Sequence, residues 1–247
     1  MAGRIRVGIG GWTFEPWRGV FYPKGTRQAD ELAYASRHVT AIEVNATYHG
    51  TQKPESFAKW AATAPEGFVF ALKANRFCTN RRVLAEAGES IGKFLNQGIA
   101  ELGDKLGPIL WQFMPTKRFD PDDFAAFLAL LPASIAGLPL RHCVEVRHES
   151  FLAPEFASLC RHHGVAICLA HHETFPVIDE AAASFTYARL MSSSEAIETG
   201  YAAADLDAWA SRFKADADEG RDVFAFFISG DKVRNPASAM ALIQRIG

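Results

Sequence analysis

Short apolar runs alternate along this chain with stretches that repeat at three and four residues. The first pattern predicts strands, the second amphipathic helices. Ile5–Gly10 reads as a strand that Gly10-Gly11 closes, and Thr26–His38 as a helix. Ala41–Asn45 is a second strand, with Ile42 and Val44 on one face and Glu43 and Asn45 on the other. Pro54 suits the first turn of a helix to about Thr63, and Phe68–Lys73 is a third strand. Ser90–Gly103 places Ile91, Leu95, Ile99 and Leu102 on one helical stripe, and Pro108–Phe113 is a fourth strand. Asp120-Pro121 caps a helix carrying Phe124, Phe127, Leu128 and Leu131. Arg141–Arg147 is a fifth strand, Pro154–His163 a helix that Gly164 ends, and Val165–Ala170 a sixth strand. A weak helical segment, Asp179–Ala183, leads to a seventh strand at Phe185–Leu190. The helix Ala204–Ala217, the strand Val223–Ser229 and a last helix capped by Asn235-Pro236 complete the chain.

Eight strands, each followed by a helix or helical segment, call for an α/β fold with a parallel sheet under helices. Eight such units in 247 residues is the count of a closed (β/α)8 barrel, TIM-barrel-like, with outer helices. A doubly wound open sheet is the alternative, but Gly8-Ile9-Gly10-Gly11 is not the glycine fingerprint of that class. No linker or repeat interrupts the pattern, so a single domain over 1–247 is expected.

A barrel of this kind carries its site at the C-terminal strand ends. Those ends supply Trp12, then Glu43, Asn45 and Tyr48, then Lys73, Gln112, and the Glu145, Arg147, His148 cluster. His171 and His172, Arg189, and Ser229 with Asp231 follow. Strand alternation directs Glu43 with Asn45, and Glu145 with Arg147, toward one mouth. Charges so placed belong to a pocket or a buried ion network, because an apolar core penalises them unpaired.

These residues resemble the YecE-like family, catalogued as domain of unknown function 72. The resemblance rests on Gly11-Trp12, Trp17-Arg18-Gly19, Phe21-Tyr22-Pro23, Glu43-Val44-Asn45 and Thr47-Tyr48. It continues through Phe70-Ala71-Leu72-Lys73, Lys105-Leu106-Gly107-Pro108 with Gln112, and Glu145-Val146-Arg147-His148 with Ser150. It implies a TIM-barrel-like fold and no settled activity. The chain departs from the family pattern at Thr79-Asn80, Met191-Ser192, Ser229-Gly230 and Phe151.

Composition is that of an ordinary globular protein, and a net charge of −2 gives no global case for nucleic acid or membrane. The start of the chain lacks a secretory h-region, so a cytoplasmic protein is expected. Cys78, Cys143, Cys160 and Cys168 form no C-x-x-C pair and read as buried free thiols. The histidines and carboxylates lack metal-site spacing, so no metal and no cofactor is assigned. Two functional readings stand. In one, the mouth hydrolyses or isomerises a small anionic substrate, phosphorylated or sugar-containing. Glu43 and Glu145 are then candidate acid and base, and His148 a proton carrier. Trp12, Asn45, Tyr48, Lys73, Gln112, Arg147 and Arg189 bind the substrate. In the other, the basic residues Arg76, Arg81, Arg82, Lys117 and Arg118 serve a non-catalytic nucleotide or nucleic-acid binding protein. Oligomeric state is not assigned.

Overall fold

The computed structural model describes residues 2–247. Eight parallel strands close on themselves. They are β1 (Ile5–Gly10), β2 (Ala41–Val44), β3 (Val69–Lys73), β4 (Leu106–Gln112), β5 (His142–Glu145), β6 (Ala166–His171), β7 (Phe185–Leu190) and β8 (Asp222–Phe227). Closure is made by β8 against β1, with Ile5 opposite Val223 and Ile9 opposite Phe227. The fold is therefore the (β/α)8 barrel, and the open-sheet alternative falls away. The first and seventh strands have the expected limits, and the other six shift by one or two residues at their ends.

Strand alternation sorts the residues into two layers. Ile9, Ile42, Val44 and Val144 face the helices in the outer apolar core. Ala41, Ala71, Leu110, Cys143, Cys168, Tyr187 and Phe226 fill the barrel. Outside β4 and β5, the rings of Phe113, Phe124, Phe151 and Phe156 pack together, Phe151 on Phe156 at 5.1 Å and near-perpendicular. Each such buried ring contributes about 1.5–3 kcal/mol. All four cysteines are free and buried. Burial pushes the thiols of Cys78 and Cys160 up to about 12, which leaves them poor nucleophiles.

Three helices differ from their sequence patterns. The Thr26–His38 segment folds as a 3-10 turn, Gln28–Asp30, and a short α-helix, Glu31–Ala35. Arg27 and Asp30 pair with each other at 2.7 Å, so Asp30 does not cap the helix. The Ser90–Gly103 stripe is split into an α-helix, Gly88–Leu95, and a 3-10 helix, Ile99–Lys105. Gly98 lies between them at φ 110°, where a Cβ would sit 2.6 Å from Pro54 Cα. The stripe was real, but the chain bends there to lay its second half on the helix Pro54–Thr63. Asp179–Ala183 is not helical at all. Five residues do not repay helix nucleation, and Arg212 instead holds Asp179 through two hydrogen bonds of 2.7 and 2.9 Å.

The cap at Asp120 does form: its Oδ1 accepts from Asp123 N at 3.1 Å, with Pro121 in the first turn of Pro121–Ala129. Asp120→Ala is expected to cost about 1 kcal/mol, measured as a lower urea midpoint with an unchanged slope.

Candidate functional site

Arg189 stands at the centre of the barrel mouth. It lies on the same face of β7 as Tyr187, two residues earlier, and is 2% exposed. Its Nε and Nη2 each donate to Glu43 at 3.1 Å, from across the barrel on β2. Its Nη1 donates to Glu145 on β5 and reaches Gln112 Oε1 at 3.4 Å. Tyr187 adds an Oη donation to Glu43 at 2.7 Å. Arg147 binds the other oxygen of Glu145 at 2.6 Å and Gln112 Oε1 at 2.9 Å. Two fully buried carboxylates are thus answered by two arginines and a tyrosine, while Gln112 Oε1 accepts from both arginines.

Burial pushes the Glu145 carboxyl up, but the charges of Arg189 and Arg147 and the Arg147 hydrogen bond more than reverse this. Its pKa lies below the ordinary glutamate value, so it is ionised near neutral pH and has no proton to give. Lys73, at the end of β3, behaves oppositely. Burial and then the nearby Arg189 charge lower its pKa to about 8, against the pull of Glu43 and Glu145. Its Nζ rests 4.1 Å above the Tyr48 ring centroid.

Above this layer opens a cavity of about 560 Å³. Its wall includes Trp12, Asn45, Lys73, Gln112, Arg147 and Arg189. The loop after β8 adds Ser229 and Lys232, the first residue of the last helix adds Asn235, and the short helix Ala46–His49 after β2 adds His49. Trp12 is held by an edge-on contact with Trp60, centroids 5.1 Å apart. Among the described residues no carboxylate lines the wall, while four lysines and arginines do.

The family model described as Protein of unknown function DUF72 matches residues 6–247. This chain belongs to the DUF72 family. A curated relative, the UPF0759 protein YunF of Bacillus subtilis (strain 168), is 25% identical over 158 residues, 62% of this chain and 54% of that protein. The match thus spans about half the length of that relative. Among solved structures, a DUF72 family protein from Thermotoga maritima MSB8 superposes with TM-score 0.74 at 21% identity, covering 98% of this chain and 97% of the other. A DUF72 family protein from Enterococcus faecalis V583 gives 0.73 at 17% identity, covering 99% of each chain. A D-psicose 3-epimerase, solved in the presence of D-fructose, gives 0.53 at 12% identity, covering 98% and 96%. At such identities these structures share the barrel and establish nothing finer.

In this DUF72 protein the residues marked in the sequence reach different places. Trp12, Asn45, Lys73, Gln112, Arg147 and Arg189 meet at the cavity. Glu43 and Glu145 lie beneath it, and Tyr48 supports Lys73. His148 is not part of the wall. The strand ends at Glu145, and the His148 ring turns to accept from Ser150 N at 3.0 Å, capping a 3-10 turn. A strand continued to Arg147 would place His148 at the mouth, and its end at Glu145 does not. Tyr187 is a site residue outside the expected set, although its spacing from Arg189 puts both on the inward face. His49, Lys232 and Asn235 carry no strand periodicity, so no local signal marked them. Two positions singled out by the resemblance flank the site. Met191 Sδ is 3.9 Å from Arg189 Nη1, and Asn80 Nδ2 donates to Tyr48 Oη at 3.4 Å.

Proposed function

We propose that the barrel mouth binds a small anionic organic molecule, phosphorylated or sugar-containing, and isomerises or hydrolyses it. The wall of the cavity carries the reading: Lys73, Arg147, Arg189 and Lys232 line it without a carboxylate among the described residues. Glu43 and Glu145 are spent beneath the floor on the arginines. Gln112 lines the cavity with its Oε1 bound by both arginines, so its amide NH2 is the group it has left to offer a ligand. Arg147 retains Nη1 for an anionic oxygen. Isomerisation fits better than hydrolysis. Hydrolysis by a carboxyl pair needs an acid and a base that both reach the substrate, but Glu145 is held ionised and Glu43, bound by Arg189 and Tyr187, is absent from the cavity wall. Proton transfer at neutral pH falls instead to Lys73, whose pKa of about 8 suits it. The epimerase neighbour shares this barrel, and a sugar-sized substrate is compatible with the cavity.

Calorimetry tests the reading with glucose 6-phosphate and inorganic phosphate against glucose, at low salt. The phosphorylated compounds are expected to bind and glucose to bind more weakly. Arg147→Ala is expected to weaken phosphate binding about tenfold or more, since a hydrogen bond to a charged group is worth about 1.5–3 kcal/mol. Failure of every anion in a wider panel to bind the wild-type protein would sink the proposal.

The nucleic-acid reading has one observation behind it. A shallow hollow is lined by Arg81, Arg82, Lys117 and Arg118, and nearby Phe77 is 60% exposed. Three of these cations are already engaged, Arg118 with its Nη1 3.4 Å from His148 Nε2. Lys117 pairs with Asp123 at 2.9 Å, and Arg81 donates to the Phe77 carbonyl and to Ser90. The hollow is therefore the weaker site. Salt-dependent binding of single-stranded DNA that survives Arg147→Ala would move the function there.

A further inference from the structure

Lys73 is the cation of the mouth whose amine is both buried and unspent. It is 8% exposed and lines the cavity. Arg189 and Arg147 are bound to Glu43 and Glu145, but Nζ of Lys73 makes no hydrogen bond or ion pair among the described residues. Its position is nevertheless set from two sides. Buried Thr47 donates to the Lys73 carbonyl at 2.7 Å, and the Tyr48 ring lies under Nζ. The charged groups acting on it are Arg189, Arg147, Glu43 and Glu145, which largely neutralise one another. A desolvated amine, held in place at the end of a barrel strand beside an anion-binding wall, is suited to covalent chemistry with carbonyl compounds.

We propose that Lys73 is a nucleophile that forms an imine with the aldehyde or ketone group of an anionic substrate. The inference rests on the reading of the mouth as an anion site. The lone pair of the neutral amine attacks the carbonyl carbon, a C–N bond forms, and the C=O π electrons move to oxygen. One proton passes from nitrogen to that oxygen, giving a carbinolamine. Protonation of its hydroxyl and loss of water then leave a protonated imine. The balance is amine plus carbonyl plus one proton, giving iminium plus water. The iminium withdraws electrons from the adjacent C–H bond, which is what an isomerisation at that carbon requires. Arg147 and Lys232 would hold the anionic end. The amine is available because burial and Arg189 bring its pKa to about 8. Half of it is neutral at pH 8, against roughly 0.4% for an unperturbed lysine.

The test reads Lys73 in the wild-type chain, so it does not depend on a variant folding. The protein is incubated at pH 8 with glyoxylate, an anionic aldehyde, and sodium cyanoborohydride. Modified lysines are mapped by peptide mass against time, with formaldehyde as a neutral aldehyde in parallel. Lys73 is expected to be reduced to a stable adduct at least about tenfold faster than exposed Lys24 and Lys59. Glyoxylate is expected to favour Lys73 more strongly than formaldehyde does, and inorganic phosphate to slow it. Labelling of Lys73 by both aldehydes no faster than Lys24 and Lys59 overturns the nucleophile. If phosphate still raises the melting temperature in that case, the anion site stands alone. Fast labelling by formaldehyde, with no preference for glyoxylate and no effect of phosphate, keeps the nucleophile and removes the anion site.

Discussion

Arg189→Met is expected to destabilise the barrel by about 3–5 kcal/mol, read as a lower urea midpoint at pH 7. Arg189 is 2% exposed, and the two carboxylates it bridges are fully buried. Methionine fills similar space but answers neither Glu43 nor Glu145. Tyr187 would still donate to Glu43, and Arg147 to Glu145, so each carboxylate would lose part of its support. Two like charges would then face each other in the mouth, and desolvation would dominate. The pH dependence has a definite sign. In the wild-type protein the Glu145 carboxyl lies below its ordinary value, chiefly because the arginine charges overcome burial. Its contribution is present above the ordinary glutamate range and is lost as pH falls through the lowered value. In the variant the stranded carboxylates prefer to be protonated, so acid relieves the defect. The gap between wild type and variant should therefore narrow from pH 7 toward pH 4. A gap below about 1 kcal/mol at pH 7 would mean that water already satisfies the cluster.

Gly8→Ala is expected to cost about 3 kcal/mol or more, or to abolish soluble expression. Gly8 sits in β1 between Ala41 of β2 and Phe226 of β8. A Cβ at this position would lie 1.9 Å from the Ala41 carbonyl oxygen and 2.6 Å from its carbon. Both atoms are backbone, so no rotamer change relieves the clash. The strands must separate where the barrel is paired on both sides. Circular dichroism and a urea melt of the purified variant measure the effect. A midpoint within about 0.5 kcal/mol of wild type would show that the two strands can part without loss.

The clearest sequence signals were those with a period. Glu43 beside Ile42 and Val44, and Glu145 beside Val144 and Val146, could be assigned to the inner face because side chains alternate along a strand. Arg189 was legible only as a strand end, and in the structure the same alternation along β7 puts Tyr187 on its inward face as well. Where the chain left its strand, parity failed. His148 follows Glu145 by three residues, and by then the backbone has entered a turn capped by the histidine itself. The stripe Ile91, Leu95, Ile99, Leu102 was legible as apolar, yet the bend at Gly98 depended on contact with Pro54, 44 positions earlier.

The sequence by itself determined the eight strands and most of the helices between them, the sidedness of the strands and the gathering of polar residues at one end. Each of these follows from local periodicity, which the backbone geometry of strand and helix imposes on any chain. Only the tertiary structure decided which charges meet. Arg189 and Glu43 are separated by 146 residues and come together because β8 closes on β1 and brings β7 within three strands of β2 around the barrel. That closure spends Glu43, Glu145, Arg147 and Arg189 largely on one another and leaves the Lys73 amine free. Ion pairing across a barrel depends on distance in space and on desolvation, and neither is written in the spacing of residues along the chain.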